Sequence, residues 1–124
     1  MAGDKERIDP MTSDDRQFLL TAAWLFMRHG KRSRALAVCE ALIEDNPRDG
    51  VSACALAELL LDVGDANRAI DIIRASDMPR NLEHAAAVLE TRALRMLARN
   101  AEAADRWNRY IESTKGSSRT WIAQ

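Results

Sequence analysis

The sequence predicts an all-α fold made of three tandem helix pairs, and three observations lead to it. From Arg16 onward, alanine is abundant and apolar residues recur at intervals of three and four, the spacing of amphipathic helices. Long β-branched runs typical of strands are few. Glycine occurs at Gly30 and Gly64, each followed five residues later by alanine at Ala35 and Ala69, so one pattern repeats after 34 residues.

Length and charge narrow the classes of protein to which this chain can belong. The chain has 124 residues, which corresponds to about one domain. Its 18 Lys+Arg and 19 Asp+Glu give a net charge of -1, so the chain lacks the excess positive charge that favours binding to nucleic acid. Cys39 and Cys54 lack the spacing of a metal motif, and the start of the chain lacks a secretion signal, so we expect a cytoplasmic protein. The apolar run from Phe18 to Met27 is too short to span a membrane.

The elements follow in order along the chain. Residues 1–13 are polar and predict a flexible leader that ends in helix-capping residues. The predicted helices span residues 14–29, 33–45, 50–63, 66–75, 81–99 and 101–113. They group into a repeat domain, 14–113, with pairs at 14–47, 50–79 and 81–113. Residues 114–124 form a tail after a flexible polar link, and two alternatives stay open: Trp121 and Ile122 fold back onto the helices or remain free.

The positions of glycine, alanine and proline in the first two pairs have a physical reason. Gly30 and Gly64 each end a first helix, where glycine adopts the left-handed conformation that reverses the chain. Ala35 and Ala69 keep a small side chain where the paired helices approach most closely. Pro47 ends the second helix of the first pair.

The third pair carries a weaker version of the pattern. Leu89, Ala93 and Met96 provide its packing face. Asn100 is expected to replace the turning glycine, because asparagine tolerates the left-handed conformation. Counted from Asn100, the small residue of the third pair is Ala104, one position earlier than in the first two pairs. The linker SDMPRN is expected to make the second junction between pairs two residues longer than the first.

These features resemble the tetratricopeptide repeat over residues 16–111. The resemblance implies a short right-handed array with a concave groove. One face of the first helices packs inside the array: Leu19, Ala22, Ala23, Phe26, Ala53, Leu56, Ala57 and Leu60. The predicted groove is lined by a second face: Leu20, Trp24, Met27, Val51, Cys54, Glu58, Leu61, Ala87, Glu90, Leu94 and Leu97.

The predicted groove is mainly aliphatic, with carboxylates at Glu58 and Glu90. Such a surface accepts an amphipathic helix or an extended peptide through spaced apolar side chains. The alternative is that these residues are plain core, or that the tail of the chain fills the groove.

Catalytic and metal-binding motifs are weak. His29 and His84 lie far apart and have no neighbours at metal-ligand spacing. The chain has no phosphate-binding loop and no nucleophile motif. We therefore expect no cofactor, no metal and no enzymatic activity.

The first repeat carries a more specific motif, which resembles the opening repeat of the YscY (SctY-type) chaperones of bacterial type III secretion. The matching residues are Gln17, Phe18, Leu19, Leu20, Trp24, Leu25, Gly30, Arg34, Ala35, Leu42 and Pro47. The resemblance implies a cytoplasmic chaperone that binds a small secreted YscX-like partner and helps bring it to the cytoplasmic domain of the export gate. Without cargo, such a groove is expected to support a homodimer.

Other functions stay open at this stage. Needle-subunit chaperones of the YscG type and translocator chaperones are similar helical-repeat proteins. A generic tetratricopeptide adaptor that binds a charged peptide end would need Lys and Asn across the groove, which the predicted groove lacks. An enzyme would need convergent polar groups in a pocket, which the sequence does not indicate.

Overall fold

The described residues form six α-helices and no strand. The computed structural model describes residues 10–123, with side chains through residue 115. The helices are α1 (Ser13–Arg28), α2 (Arg32–Asp45), α3 (Gly50–Asp62), α4 (Ala66–Ala75), α5 (Glu83–Met96) and α6 (Asn100–Ala123), with a 3₁₀ turn at Arg80–Leu82. The all-α prediction is confirmed. Residues 1–9 of the predicted leader lie outside the described residues.

The helices pack in consecutive pairs. α1 contacts α2, α3 contacts α4, and α5 contacts α6, while α2–α3, α4–α5 and α3–α5 contacts join one pair to the next. The core runs through all three pairs and is richest on α3, where Leu56, Leu59, Leu60 and Leu61 are buried. The burial of α3 follows from its central position, since a pair packs against it on either side.

Arg16 connects the first helix pair to the second through its side chain. Its guanidinium donates to Asp45 Oδ2 at 2.7 Å, to Asp49 Oδ2 at 2.6 Å and to Ser52 Oγ at 3.0 Å. Asp49 is also the N-cap of α3. Desolvation acts to raise the pKa of Asp49, but the hydrogen bond from Ser52 and the ion pair with Arg16 together outweigh it, so this pKa is held below its ordinary value.

The turn between paired helices recurs with the same geometry three times. Positive φ occurs at Gly30 (72°), Gly64 (85°) and Ala98 (59°), each 34 residues after the last. In each turn the next amide donates to a carbonyl five residues earlier at 2.8 Å: Lys31 to Phe26, Asp65 to Leu60 and Arg99 to Leu94. The prediction that Asn100 makes the third turn is therefore wrong. Ala98 makes it, and Asn100 begins α6.

The small residue of the third pair is also one position away from its predicted place. Ala35, Ala69 and Ala103 are all buried, at the same 34-residue interval, whereas Ala104 is exposed. The predicted shift of the third pair is wrong because α4 ends at Ala75, one turn earlier than α2 does in its own pair. The longer linker replaces that turn, so the spacing of the repeats is unchanged.

A proline and two local hydrogen-bonding residues account for the early end of α4. Pro79 disfavours the helical conformation at the residue before it. Ser76 is extended, its hydroxyl donates to the Ile73 carbonyl at 2.7 Å, and Asp77 forms an ion pair with Arg48.

The two linkers between pairs pack on each other at Gly50. The amide of Asp77 donates to the Arg48 carbonyl at 2.7 Å, within an isolated backbone bridge between Asp49 and Asp77. A Cβ at Gly50 would lie 2.6 Å from Pro79 Cδ and 2.8 Å from the Asp77 carbonyl oxygen. Glycine is therefore required there for close approach rather than for an unusual φ.

The last helix is longer than the sequence predicts. Residues 114–123 continue α6 as helical backbone, where the sequence predicts a flexible link after residue 113. The hydroxyls of Ser113 and Thr114 donate to the carbonyls of Tyr110 and Ile111, so these polar side chains are satisfied within the helix. The side chains of Trp121 and Ile122 lie outside those described, so the alternatives for them stay open.

Candidate partner-binding surface

The α1 part of the predicted groove is the most accessible. Trp24 is 52% exposed, and the Arg28 guanidinium lies 4.8 Å from the centre of its ring. Leu20 and Met27 are half-buried, and Met27 packs against the core. A half-exposed tryptophan with a cation over one ring face presents an apolar surface that a partner can cover.

The α3 part is divided between surface and core. Val51 and Glu58 are exposed, whereas Leu61 is buried. Cys54 is half-buried, and its Sγ lies 3.6 Å from Met78 Sδ. Burial, and then the negative charge of Glu58, raise the pKa of the Cys54 thiol. The thiol is thus a weak nucleophile, and an apolar contact is the role that its surroundings support.

The predicted residues on α5 lie mostly in the interior. Leu94 is 1% exposed, Ala87 is fully buried, and Leu97 is half-buried against the core. Glu90 is 5% exposed; it accepts hydrogen bonds from Arg74 Nε at 2.8 Å and from Arg106 Nε at 2.9 Å. It therefore connects α4, α5 and α6 and is not a free carboxylate of the groove.

The unbroken repeat spacing explains this difference. The residues 34 positions after Cys54, Glu58 and Leu61 are Val88, Arg92 and Arg95. Val88 is half-buried, and both arginines are exposed. The face of α5 that continues the α1 and α3 faces is therefore basic. Keeping one interval of 34 throughout the sequence would have identified these three residues.

A second apolar surface lies on another side of α1. Phe18 is 65% exposed and Leu25 is 45% exposed. Their equivalents on α3, Ser52 and Leu59, are buried. No described helix covers α1 on this side, because the first pair is the end of the stack in the described part of the chain.

Other reactive side chains have structural surroundings. Burial, with a smaller contribution from the charge of Glu40, raises the pKa of Cys39 to about 11. His84 packs against Trp107 and Tyr110, with ring centres 6.1 and 5.5 Å away. Among the described residues, no group of three His, Cys, Asp or Glu side chains could hold a metal ion.

None of the helices described between residues 10 and 123 combines the length and the apolar character that crossing a bilayer requires.

Comparison of the chain with models of known protein families and with curated proteins finds no match. The surface is therefore interpreted from its own residues and from the motif in the first repeat.

Proposed function

We propose that this protein is a small cytoplasmic chaperone of a bacterial type III secretion system, similar to the YscY family. In this proposal its tetratricopeptide-like array binds a small secreted YscX-like protein and helps bring it to the export gate. The observation that carries the proposal is the exposure of two aromatic residues on different sides of α1, Phe18 at 65% and Trp24 at 52%, of which Trp24 belongs to the predicted groove. These aromatic residues are the part of the first-repeat motif that goes beyond a generic repeat, and their exposure indicates a role other than packing.

The backbone supports the tetratricopeptide-like part of the proposal. Turns of the same geometry recur every 34 residues, and a small buried residue follows each turn, at Ala35, Ala69 and Ala103. Three such units are about the minimum for a continuous core in a stacked array. An array of this kind has no catalytic apparatus of its own, so its function depends on what its surfaces bind.

The physical basis of binding is the apolar surface of α1 and α3. Trp24 and Val51 are about half exposed, and Leu20, Met27 and Cys54 are accessible at their edges. An amphipathic helix or extended peptide of the partner would cover these side chains with apolar residues of its own. Burying a large apolar side chain on binding contributes about 1.5–3 kcal/mol, and a central tryptophan is a typical hot spot.

The test is co-purification of a candidate YscX-like protein with wild type and with Trp24→Glu. Because Trp24 is half exposed, a carboxylate there is hydrated in the free protein but would be buried and unpaired in the complex. We expect the variant to keep its helical circular dichroism and to lose the partner. Met96→Glu is the matched control, since Met96 is 50% exposed and lies on α5 outside this surface.

Partner binding by Trp24→Glu at wild-type strength would refute this binding surface. Loss of binding by both variants would indicate a general effect of added negative charge. Needle-subunit and translocator chaperones remain alternative classes, and co-purification with a needle or translocator protein, in place of a YscX-like one, would identify them.

A further inference from the structure

A cleft lies between α5 and α6, away from Trp24 and Val51. It encloses about 700 Å³, and its lining includes Val88, Thr91, Arg92, Arg95, Ala104 and Trp107. The proposed function makes no use of it.

The repeat spacing shows what shape this cleft has. Most of the residues 34 positions earlier are buried, among them Ala57, Leu61, Ile70 and Ile73, whereas Cys54 is half-buried and Glu58 is exposed. They form the surface of the α3–α4 pair against which α5 packs. In the first pair, α3 packs against α2, and Ala23 and Cys39, the equivalents of Ala57 and Ile73, are buried. Twice within this chain, therefore, the surface equivalent to the α5–α6 cleft accepts a helix.

Two of the substitutions between equivalent positions make room for an apolar side chain and add a polar group to the lining. Ala104 replaces Ile70, which removes three carbons from the lining. Thr91 replaces Ala57, and the Thr91 hydroxyl is buried without a hydrogen-bond partner among the described residues. A helix that fills this cleft can thus bring a larger apolar side chain against Ala104 and a polar group to Thr91.

The charge of the cleft points to the chemistry of its occupant. Arg92 and Arg95 take the places of Glu58 and Leu61, and no carboxylate lines the cleft. Within the described side chains, neither arginine forms an ion pair, although Arg74, Arg99 and Arg106 nearby in sequence all do. Two unpaired guanidinium groups at one edge favour carboxylates on an incoming helix.

A second copy of the chain is a poorer match. Its exposed α1 would be the equivalent of the helix that packs here, and first helices in a stack of antiparallel pairs run in the same direction. The last turn of α1 carries Arg28, and Lys31 and Arg32 follow it, so basic groups would approach Arg92 and Arg95. Like charges in contact oppose that assembly.

We propose that the α5–α6 cleft is a second docking site, which binds an amphipathic helix of a partner protein whose apolar face is flanked by acidic side chains. Arg92 and Arg95 lie on the face of α5 that continues the α1 and α3 faces, but Trp24, Val51 and Cys54 do not line the cleft, so either proposal can fail without the other.

The probe is a fluorescein-labelled peptide with the sequence of residues 83–97, in which Arg92→Glu and Arg95→Glu reverse the charge. This sequence already packs on the equivalent surface of the α3–α4 pair, as α5. The matched peptide keeps both arginines. Fluorescence anisotropy with the full-length protein at low salt should show at least about tenfold tighter binding of the acidic peptide, and salt should reduce the difference. Because a free helix of this length is only marginally stable, the quantity to measure is the ratio of the two peptides' affinities rather than either affinity alone.

Two exposed alanines of α6 provide the matched protein variants. Ala104→Arg fills the cleft, whereas Ala101→Arg adds the same side chain outside its lining. The site would be supported if the acidic peptide binds the wild type, Ala101→Arg and Trp24→Glu but binds Ala104→Arg at least about tenfold more weakly. Equal binding to Ala104→Arg and Ala101→Arg, or equal binding of the two peptides, would overturn it. Concentration-dependent dimers that Ala104→Arg abolishes would also overturn it in favour of a second copy.

Discussion

Glu90 provides the most demanding test of the packing between the last three helices. Its carboxylate is 5% exposed, and each of its oxygens accepts one hydrogen bond from an arginine, Arg74 on α4 and Arg106 on α6. We expect Glu90→Ala to lower the free energy of unfolding, because it leaves two guanidinium groups without their shared carboxylate.

The exposure of the two arginines sets the magnitude. Removing one partner of a fully buried ion pair costs about 3–5 kcal/mol. Here the Arg74 side chain is 49% exposed and can turn towards water, whereas Arg106 is 19% exposed and remains partly desolvated. Half of the interaction is therefore screened, and we expect a loss of about 2–3 kcal/mol.

The assay is urea unfolding followed by circular dichroism at 222 nm. Glu102→Ala is the control, since Glu102 makes a two-point contact with Arg99 at the surface and should change the unfolding midpoint little. The double variant Glu90→Leu/Arg106→Leu should recover part of the loss, because it removes the stranded charge together with its partner. A Glu90→Ala midpoint no lower than that of Glu102→Ala would refute the packing described for Glu90.

Three further predictions use the same unfolding measurement. Gly50→Ala should cost about 1–3 kcal/mol, because its Cβ would meet the Pro79 ring and the linker would have to move; an unchanged midpoint would contradict the close approach of the linkers. Ala98→Gly should stabilise by about 0.5–1 kcal/mol by relieving positive φ, whereas Gly64→Ala should destabilise by a similar amount, so a change of the same sign in both would contradict the recurring turn. The pKa of Cys39 is raised to about 11 in the folded protein, so its thiol ionises first in the unfolded chain. The stability linked to this thiol should be fully present below about pH 9 and lost as the pH approaches 11, and Cys39→Ala should reduce that slope; equal slopes would show that the thiol does not contribute.

The helices and the first two turns could be predicted because their signals are local. The Thr12 cap with Asp15, the left-handed turn at Gly30 and the N-cap at Asp49 each depend on a few neighbouring residues. The predicted helix limits of the first four helices agree with the structure to within one residue. Ala35 and Ala69 are buried as expected, since a small residue at a fixed distance from a turn faces the paired helix.

The predicted groove residues on α1 and α3 are mostly accessible, whereas those on α5 lie mostly in the interior, and the reason for this difference lies in α4. Trp24 and Val51, on the first two pairs, are exposed. Glu90 and Leu94 are buried because the third pair keeps the 34-residue spacing. The linker looks two residues too long in the sequence. The predicted limits already ended α4 at Ala75, but only the structure shows that this shorter helix compensates for the longer linker.

The sequence by itself determined the helical class, the order of the helices and the places of the first two turns, because backbone preference and amphipathic spacing act over a few residues. Only the tertiary structure decided that Ala98 adopts a left-handed conformation, since an isolated alanine avoids it and here the packing of α5 against α6 requires it. It also decided that Glu90 is enclosed by Arg74 and Arg106 while Arg92 and Arg95 remain exposed. The side of a helix that becomes interior depends on which other helices pack against it.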